Sequence, residues 1–256
     1  MLVLLPPSET KRSGGTGEPL DFAALTYPSL NTQRRVLVRA LRALARDPDA
    51  MMAALKLGRT QAIEVERNRA LTTSPTMPAL DRYTGVLYDA LDAPTLSRAS
   101  REFAGRHVLV HSALFGPIGA LDLVPAYRLS HDSRLPGHPL KKHWGGAATT
   151  VLAGAEGLVL DLRSEAYVAL GAAPALPESL FLRVVTEAPG GQKRALNHFN
   201  KKSKGEFTRA ILLHGHAFRT ADELLEWAPS AGFRLHPGAP GELELVVDQI
   251  VAAARP

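Results

Sequence analysis

The stretch His198 to Arg209, HFNKKSKGEFTR, gathers three lysines, Lys201, Lys202 and Lys204, around a helix-starting pattern. Ser203 and Glu206 form an S-x-x-E capping box, which predicts a helix opening at Ser203. Phe207, Ala210, Ile211 and His214 then recur on one face of it. A helix N-terminus carries about half a positive charge, so lysines just ahead of one are unfavourable unless an anion shares the site. Gly205, in the first turn, would leave backbone N–H groups open to close approach. Ammonium groups beside a bare helix start are phosphate-binding chemistry, and the plain alternative is a solvated charged loop.

A second group sits in SEAY, Ser164 to Tyr167, where a buried strand gives way to a helix. Ser164 as N-cap with Glu165 in the first turn explains both without chemistry. The carboxyl end of a buried strand is also where open α/β sheets place ligands, and a carboxylate among hydroxyls there could orient water. His214 and His216 could ligate a metal, but the pair also suits a helix C-terminus, and no metal is expected. The phosphate-loop, dinucleotide, metalloprotease and G-x-S-x-G signatures are all missing from the sequence.

Composition narrows the classes. The 256 residues are 45% hydrophobic and 21% charged, an ordinary globular balance with room for a core. Net charge is +5, which suits a phosphate-bearing partner without requiring one. Aromatics at 6% argue against base-stacking platforms. Without cysteine there is no disulfide, thiolate metal site or cysteine nucleophile. The apolar start MLVLL is halted by Pro6 and Pro7, too short for a secretory leader or a membrane span. The expectation is a soluble, cytoplasmic protein.

These residues need elements to hold them. LVLL, 2 to 5, reads as a buried strand, followed by a Gly-rich polar loop. LNTQRRVLVRALRALARD has helical period, apolar on one side and arginine on the other. Asp47 and Pro48 cap and open a second helix, which Gly58 would stop in the left-handed conformation. Thr60 would cap a third, giving a helix-hairpin-helix candidate within 47–72. YTGVLYDAL, TLSRASREFAG and PLKKHWGGAATTVLAGA read as helices. HVLVHSALFG reads as a strand entering a Gly-Pro turn, and GLVLDLRSEAY as a strand over 158–162 turning into a helix. Two strands flank PGGQ as a hairpin, Thr220 and Glu223 cap another helix, and the tail reads as two strands or a strand and a helix. The fold class is α/β (mixed α+β), a single compact domain over 1–256 with a central mixed sheet and surrounding helices.

Six stretches in order resemble the YaaA peroxide-stress family: LLPPSETK, YTGVLYDAL, SALFGPIGALDLVPAYRL, HWG, DLRSEAY and NKKSKGEFTR. The resemblance runs over nearly the whole chain. It implies a compact fold with a positively charged cleft, DNA binding, and a role in limiting damage from peroxide and iron, with no firmly attached reaction. The matching polar positions are Ser8, Thr10 and Lys11, then Thr84, Tyr127 and Arg128, then Ser164, Glu165 and Tyr167, then Lys201 and Lys202. The family's first loop is nearer S-P-A-K-T, so Glu9 is an added negative charge here. The helix-hairpin-helix turn usually has two glycines, and LKLGRT has one.

Two functions follow. In the first, Lys11, Arg128, Lys141, Lys142, Lys201, Lys202 and Lys204 hold double-stranded DNA non-specifically through phosphate contacts. In the second, an enzyme binds a nucleotide or modified base in a cleft with Ser8, Thr10, Thr84, Tyr127 and Tyr167, and Glu165 and Ser164 serve hydrolysis of an N-glycosidic bond. Neither calls for a cofactor, a metal or a membrane. One closed pocket would favour the enzyme, and an open lysine-lined groove the DNA binder.

Overall fold

A computed structural model describes residues 1–187, 193–195 and 199–247. Its elements in chain order are β1 (Leu2–Leu5), α1 (Asn31–Leu44), α2 (Pro48–Leu55), α3 (Ile63–Arg69), β2 (Met77–Pro78), α4 (Ala79–Arg82), α5 (Val86–Leu91), α6 (Arg98–His107), β3 (Val108–Ser112), β4 (Gly116–Gly119) and β5 (Leu123–Val124). There follow α7 (Leu140–Leu152), β6 (Val159–Asp161), α8 (Glu165–Val168), β7 (Ser179–Glu187), β8 (Lys193–Ala195), α9 (Phe199–His214), α10 (Ala221–Trp227), β9 (Arg234–Pro237) and β10 (Glu242–Val247).

The central sheet runs β4-β3-β1-β6-β7-β10-β9, with β8 paired to the far end of β7. Its five inner strands are parallel, and β4 and β9 close the edges antiparallel. Parallel strands are covered on both faces, so they read as continuous apolar runs rather than alternating ones. All five residues of β3 are buried, and so are Val3 to Leu5 of β1. The mixed α/β expectation therefore holds.

Several local expectations hold as well. Asp47 accepts from the Ala50 N–H, Thr220 accepts from the Glu223 N–H, Gly215 ends α9 at φ +72°, and the described part of the tail is two strands. The strands around PGGQ pair antiparallel as β7 and β8, and the turn itself lies outside the described residues.

Others change. Gly116 and Pro117 do not form a turn but open edge strand β4, where a missing N–H is tolerated. The chain turns at 113–115 instead, and Ser112 Oγ accepts from the N–H groups of Leu114 and Phe115. Arg34 leaves the outer face of α1 and is fully buried, giving four hydrogen bonds to the carbonyls of Thr26, Tyr27, Phe115 and Pro117. It ties α1 to the β3–β4 hairpin.

The helix-hairpin-helix element is not established. Lys56, not Gly58, takes the left-handed conformation after α2. The N–H groups of Lys56, Leu57 and Gly58 go to Ala53 O, Met52 O and Gln61 Oε1, so those three are not free for a phosphate. Thr60 caps nothing, because it lies inside a short 3-10 turn over Arg59–Gln61.

Helix α9 departs most. It begins at Phe199, so Lys201 and Lys202 lie in its first turn and Ser203 lies inside it, buried, not at its cap. Lys202 pairs with Glu206 one turn on, at 2.8 Å. Gly205 does not open the backbone to a ligand. A Cβ there would stand 2.1 Å from Leu87 O, so the glycine lets α9 lie directly on α5.

Candidate functional site

Strand order puts β1 between β3 and β6, while the chain moves from β1 to β3 on one side and from β6 to β7 on the other. Neighbouring strands whose connections diverge leave a crevice at their carboxyl ends, and open α/β sheets bind ligands there. A cavity of about 620 Å³ occupies this place. The loop after β1 supplies Pro6, Pro7, Ser8, Glu9 and Thr10 to its wall, and the turn after β6 supplies Leu162 and Ser164. Tyr167 and His131 form one side, and Asn200, Lys201 and Lys204 of α9 the other.

Each wall is held by identifiable groups. Lys11 is buried, with Nζ 4.1 Å from the Tyr127 ring centre and 5.3 Å from that of Tyr83. It donates to the carbonyls of Ser8 (2.9 Å) and Glu9 (3.1 Å), which curls the loop. Lys11 thus pins the cavity wall from behind and is not part of the lining. Burial pushes its pKa down to about 7, against the raising effect of Glu64. Tyr127 is a core residue, its hydroxyl bonded to those of Tyr83 and Ser112 at 2.7 and 2.6 Å. Thr84 sits behind the rim, its Oγ1 3.1 Å from Thr10 Oγ1, and Ser8 Oγ lies 3.2 Å from Thr10 Oγ1. Gly85, at φ +97°, leaves room for both hydroxyls, which a Cβ would approach to 3.3 and 3.4 Å.

The turn after β6 is fixed by a buried ion pair. Arg163 is fully buried and grips Asp161 through Nε (2.9 Å) and Nη2 (2.6 Å), while its N–H also meets Oδ1. Its Nη1 reaches His111 Nδ1, and burial with this neighbouring cation holds His111 neutral, well below the usual imidazole range. The expected Ser164 cap is absent. Ser164 stands at the N-cap position of α8, but its side chain makes no capping bond, and its residue lines the cavity.

The charged groups divide. Glu9 faces the cavity and is joined to Arg128, with Ser130 Oγ 3.2 Å from its other oxygen. Arg128 is itself buried, its backbone clamped at both ends by the Asn68 amide, so its charge is met by Glu9. Glu165 is outside the lining, its side chain 79% exposed and 3.5 Å from Arg183. Lys141 and Lys142 are exposed on α7, and Lys142 borders a separate depression of about 830 Å³ formed by the single stretch Ser133 to His143. Lys201 is exposed at the cavity mouth, and Lys202 is exposed but turned to Glu206.

Lys204 is the unusual member. Only 4% of it is exposed, it lines the cavity, and its Nζ lies 5.2 Å from the Phe181 ring centre. Among the described residues no carboxylate pairs with it. Burial pushes its pKa down to about 8, with Asp161 pulling the other way. One turn earlier on the same face, the buried Asn200 Oδ1 has no hydrogen-bond partner among the described residues. The N–H groups of Ser8, Glu9 and Thr10 meet no backbone acceptor among the described residues.

Sequence reasoning singled out Ser8, Thr10, Ser164, Tyr167, Lys201 and Lys204, and the fold brings these together. It missed the lining residues Asn200 and His131, and it read Glu9 only as a departure. The helical spacing of Asn200 and Lys204 was the available signal, hidden by starting the helix at Ser203.

An open, mainly parallel α/β sheet with a polar cavity at its switch point places the molecule among the open α/β proteins. The family model described as peroxide stress protein YaaA matches residues 1–239. A UPF0246 protein of Corynebacterium glutamicum is 41% identical over 254 residues, covering 96% of this chain and all of that one. UPF0246 proteins of Streptomyces coelicolor and Shewanella sediminis are 38% and 30% identical, over 94% and 83% of this chain and 94% and 86% of theirs. The chain belongs to the YaaA peroxide-stress family.

Proposed function

We propose that this chain serves peroxide stress by binding a phosphate-bearing, nucleotide-like ligand in the switch-point cavity. The observation that carries this is Lys204, a buried ammonium facing the cavity with no carboxylate partner among the described residues. A buried charge left unpaired is costly, and a phosphate oxygen would supply the missing partner. Asn200, Lys201 and the N–H groups of the first loop lie around the same space. A cavity of this volume takes a mononucleotide and excludes a duplex. Within it, Glu9 is the carboxylate placed to orient water if an N-glycosidic bond is hydrolysed there.

The test is nucleotide binding followed by thermal shift and calorimetry, with Lys204→Met as the variant. Wild-type binding that Lys204→Met weakens by about tenfold or more supports the reading, since a charge-assisted bond contributes roughly 1.5–3 kcal/mol. No binding of any nucleoside phosphate by the wild type refutes it. A second reading, phosphate contacts to DNA by Lys141, Lys142, Lys201 and Lys202, is favoured by the exposure of all four. Charge reversal at Lys201 and Lys202 that leaves duplex affinity unchanged at low salt would remove it.

A further inference from the structure

Among the described residues two lysines are buried, and the fold treats them differently. Lys11 Nζ donates to the carbonyls of Ser8 and Glu9 and lies over two tyrosine rings, behind the cavity wall. Lys204 lines the cavity instead, with its Nζ 5.2 Å from the Phe181 ring centre. Among the described residues no carboxylate, hydroxyl or carbonyl accepts a hydrogen bond from it.

The amine is also held still. Lys204 sits in the second turn of α9, beside Gly205, whose missing Cβ lets the helix rest on Leu87 O of α5. Thr208 Oγ1 donates to the Lys204 carbonyl at 2.7 Å. A side chain on a packed helix is placed more precisely than one on a loop.

An ammonium with no anion beside it and little water around it gives up its proton readily, and the amine left behind is a nucleophile. Burial is the main cause here, and Arg183 on β7 acts in the same direction. Asp161 at the end of β6 and Glu165 on α8 oppose it, but Asp161 is paired with Arg163, and Arg183 with Glu242. With the pKa pushed down to about 8, roughly one Lys204 in ten is the free amine at pH 7, against fewer than about one in a thousand for an ordinary lysine. A cation meant only to hold an anion would be better served by arginine, which stays charged when buried.

We infer that Lys204 is a nucleophile that captures a small aldehyde or ketone in the switch-point cavity as an imine. The inference rests on the cavity being a ligand site and holds with or without a nucleotide in it. The Nζ lone pair forms a bond to the carbonyl carbon, and the C=O π pair moves to oxygen, which takes the proton that nitrogen sheds. The carbinolamine then loses its hydroxyl together with a second proton from nitrogen. This leaves C=N and one water, with no change of oxidation state. Glu9, whose carboxylate faces the same space, can carry protons between nitrogen and oxygen. Lys201 at the mouth favours carbonyl compounds that also bear a carboxylate or phosphate.

The experiment incubates the whole chain with glyoxylate or with glycolaldehyde phosphate, adds sodium borohydride, and reads intact mass and peptide maps. Reduction turns the imine into a secondary amine, so the adduct is the aldehyde less one oxygen. At neutral pH and limiting aldehyde, Lys204 should be labelled about tenfold or more faster than any exposed lysine. Lys204→Arg keeps the charge but offers no amine, and Lys204→Met offers neither. Both should lose that adduct, with circular dichroism to check their folds. If neither variant folds, the peptide map of the wild type decides. Label on Lys141, Lys142, Lys201 or Lys202 with none on Lys204 would overturn the inference, and so would an undiminished adduct in folded Lys204→Arg. A wild type that binds nucleotide yet gives no adduct at Lys204 removes this inference alone. An adduct at Lys204 in a protein that binds no nucleotide upholds it and removes the nucleotide reading.

Discussion

At the scale of single residues, the carboxylates show how position decides role. Glu165 is exposed, and its pairing with Arg183 at 3.5 Å is shared with Glu242, which Arg183 holds at 2.5 Å. Glu165→Gln should therefore cost no more than about 1 kcal/mol in denaturant unfolding and leave ligand binding unchanged. Glu9→Gln is the opposite case. It removes the anion joined to Arg128, whose side chain is only 11% exposed, and leaves a largely buried cation unmatched. A stability loss of roughly 1–3 kcal/mol is expected by the same measurement, with any base release from nucleosides lost as well. Equal costs for the two substitutions would show that the pairings have been ranked wrongly. Both glutamates were visible in the sequence, but which one faces the cavity was not. That depends on Lys11 folding the first loop back on itself, a tertiary contact with Tyr83 and Tyr127 far along the chain.

At the scale of elements, the contact between α5 and α9 sets where Lys204 and Asn200 point. Gly205 allows it, because Leu87 O occupies the space a side chain would take. Glycine to alanine in a helix interior normally stabilises by about 0.5–1 kcal/mol. Gly205→Ala should reverse that sign and destabilise by about 1–3 kcal/mol, read from the shift of the urea midpoint. A stabilised variant would mean the two helices do not meet as described. The strands were legible in the sequence because inner parallel strands are apolar throughout, and helix ends were legible where a side chain caps them, as at Asp47 and Thr220. The start of α9 was not. Ser203 and Glu206 match a capping box, yet the helix runs on through them, because burying Ser203, Phe207 and Ile211 against the core outweighs a local cap. Local propensity was overridden there, and also at Arg34, which looks like a surface arginine until the carbonyls of the β3–β4 turn are in place.

For the whole molecule, two buried lysines shape the response to pH. Lys11 is held down to about 7 and Lys204 to about 8, both from 10.5, chiefly by burial. Above its folded pKa each lysine is neutral in the folded state and still protonated in the unfolded chain. The unfolded state then binds more protons, so stability contributed by these groups rises with pH across the interval and falls as pH drops through about 8 and 7. The melting temperature should climb between about pH 7 and just below 10, where unfolded tyrosines begin to titrate. Lys204→Met should melt higher than wild type at neutral pH, and the difference should shrink as pH rises. A pH-independent difference would mean Lys204 is not a buried charge in the free protein.

Strand β1 lies in the interior of the sheet, where Val3 faces Val108 on one side and Leu160 on the other. The chain's opening residues therefore wait for partners made more than a hundred residues later. Closing such long loops must precede any reward from pairing, which slows folding and leaves an apolar segment uncovered meanwhile. The cavity shares that schedule, since its walls come from the first ten residues and from α9. The proposed recognition of a ligand there requires the first ten residues and α9 to be packed together, so a binding signal would also report that this long-range closure has taken place.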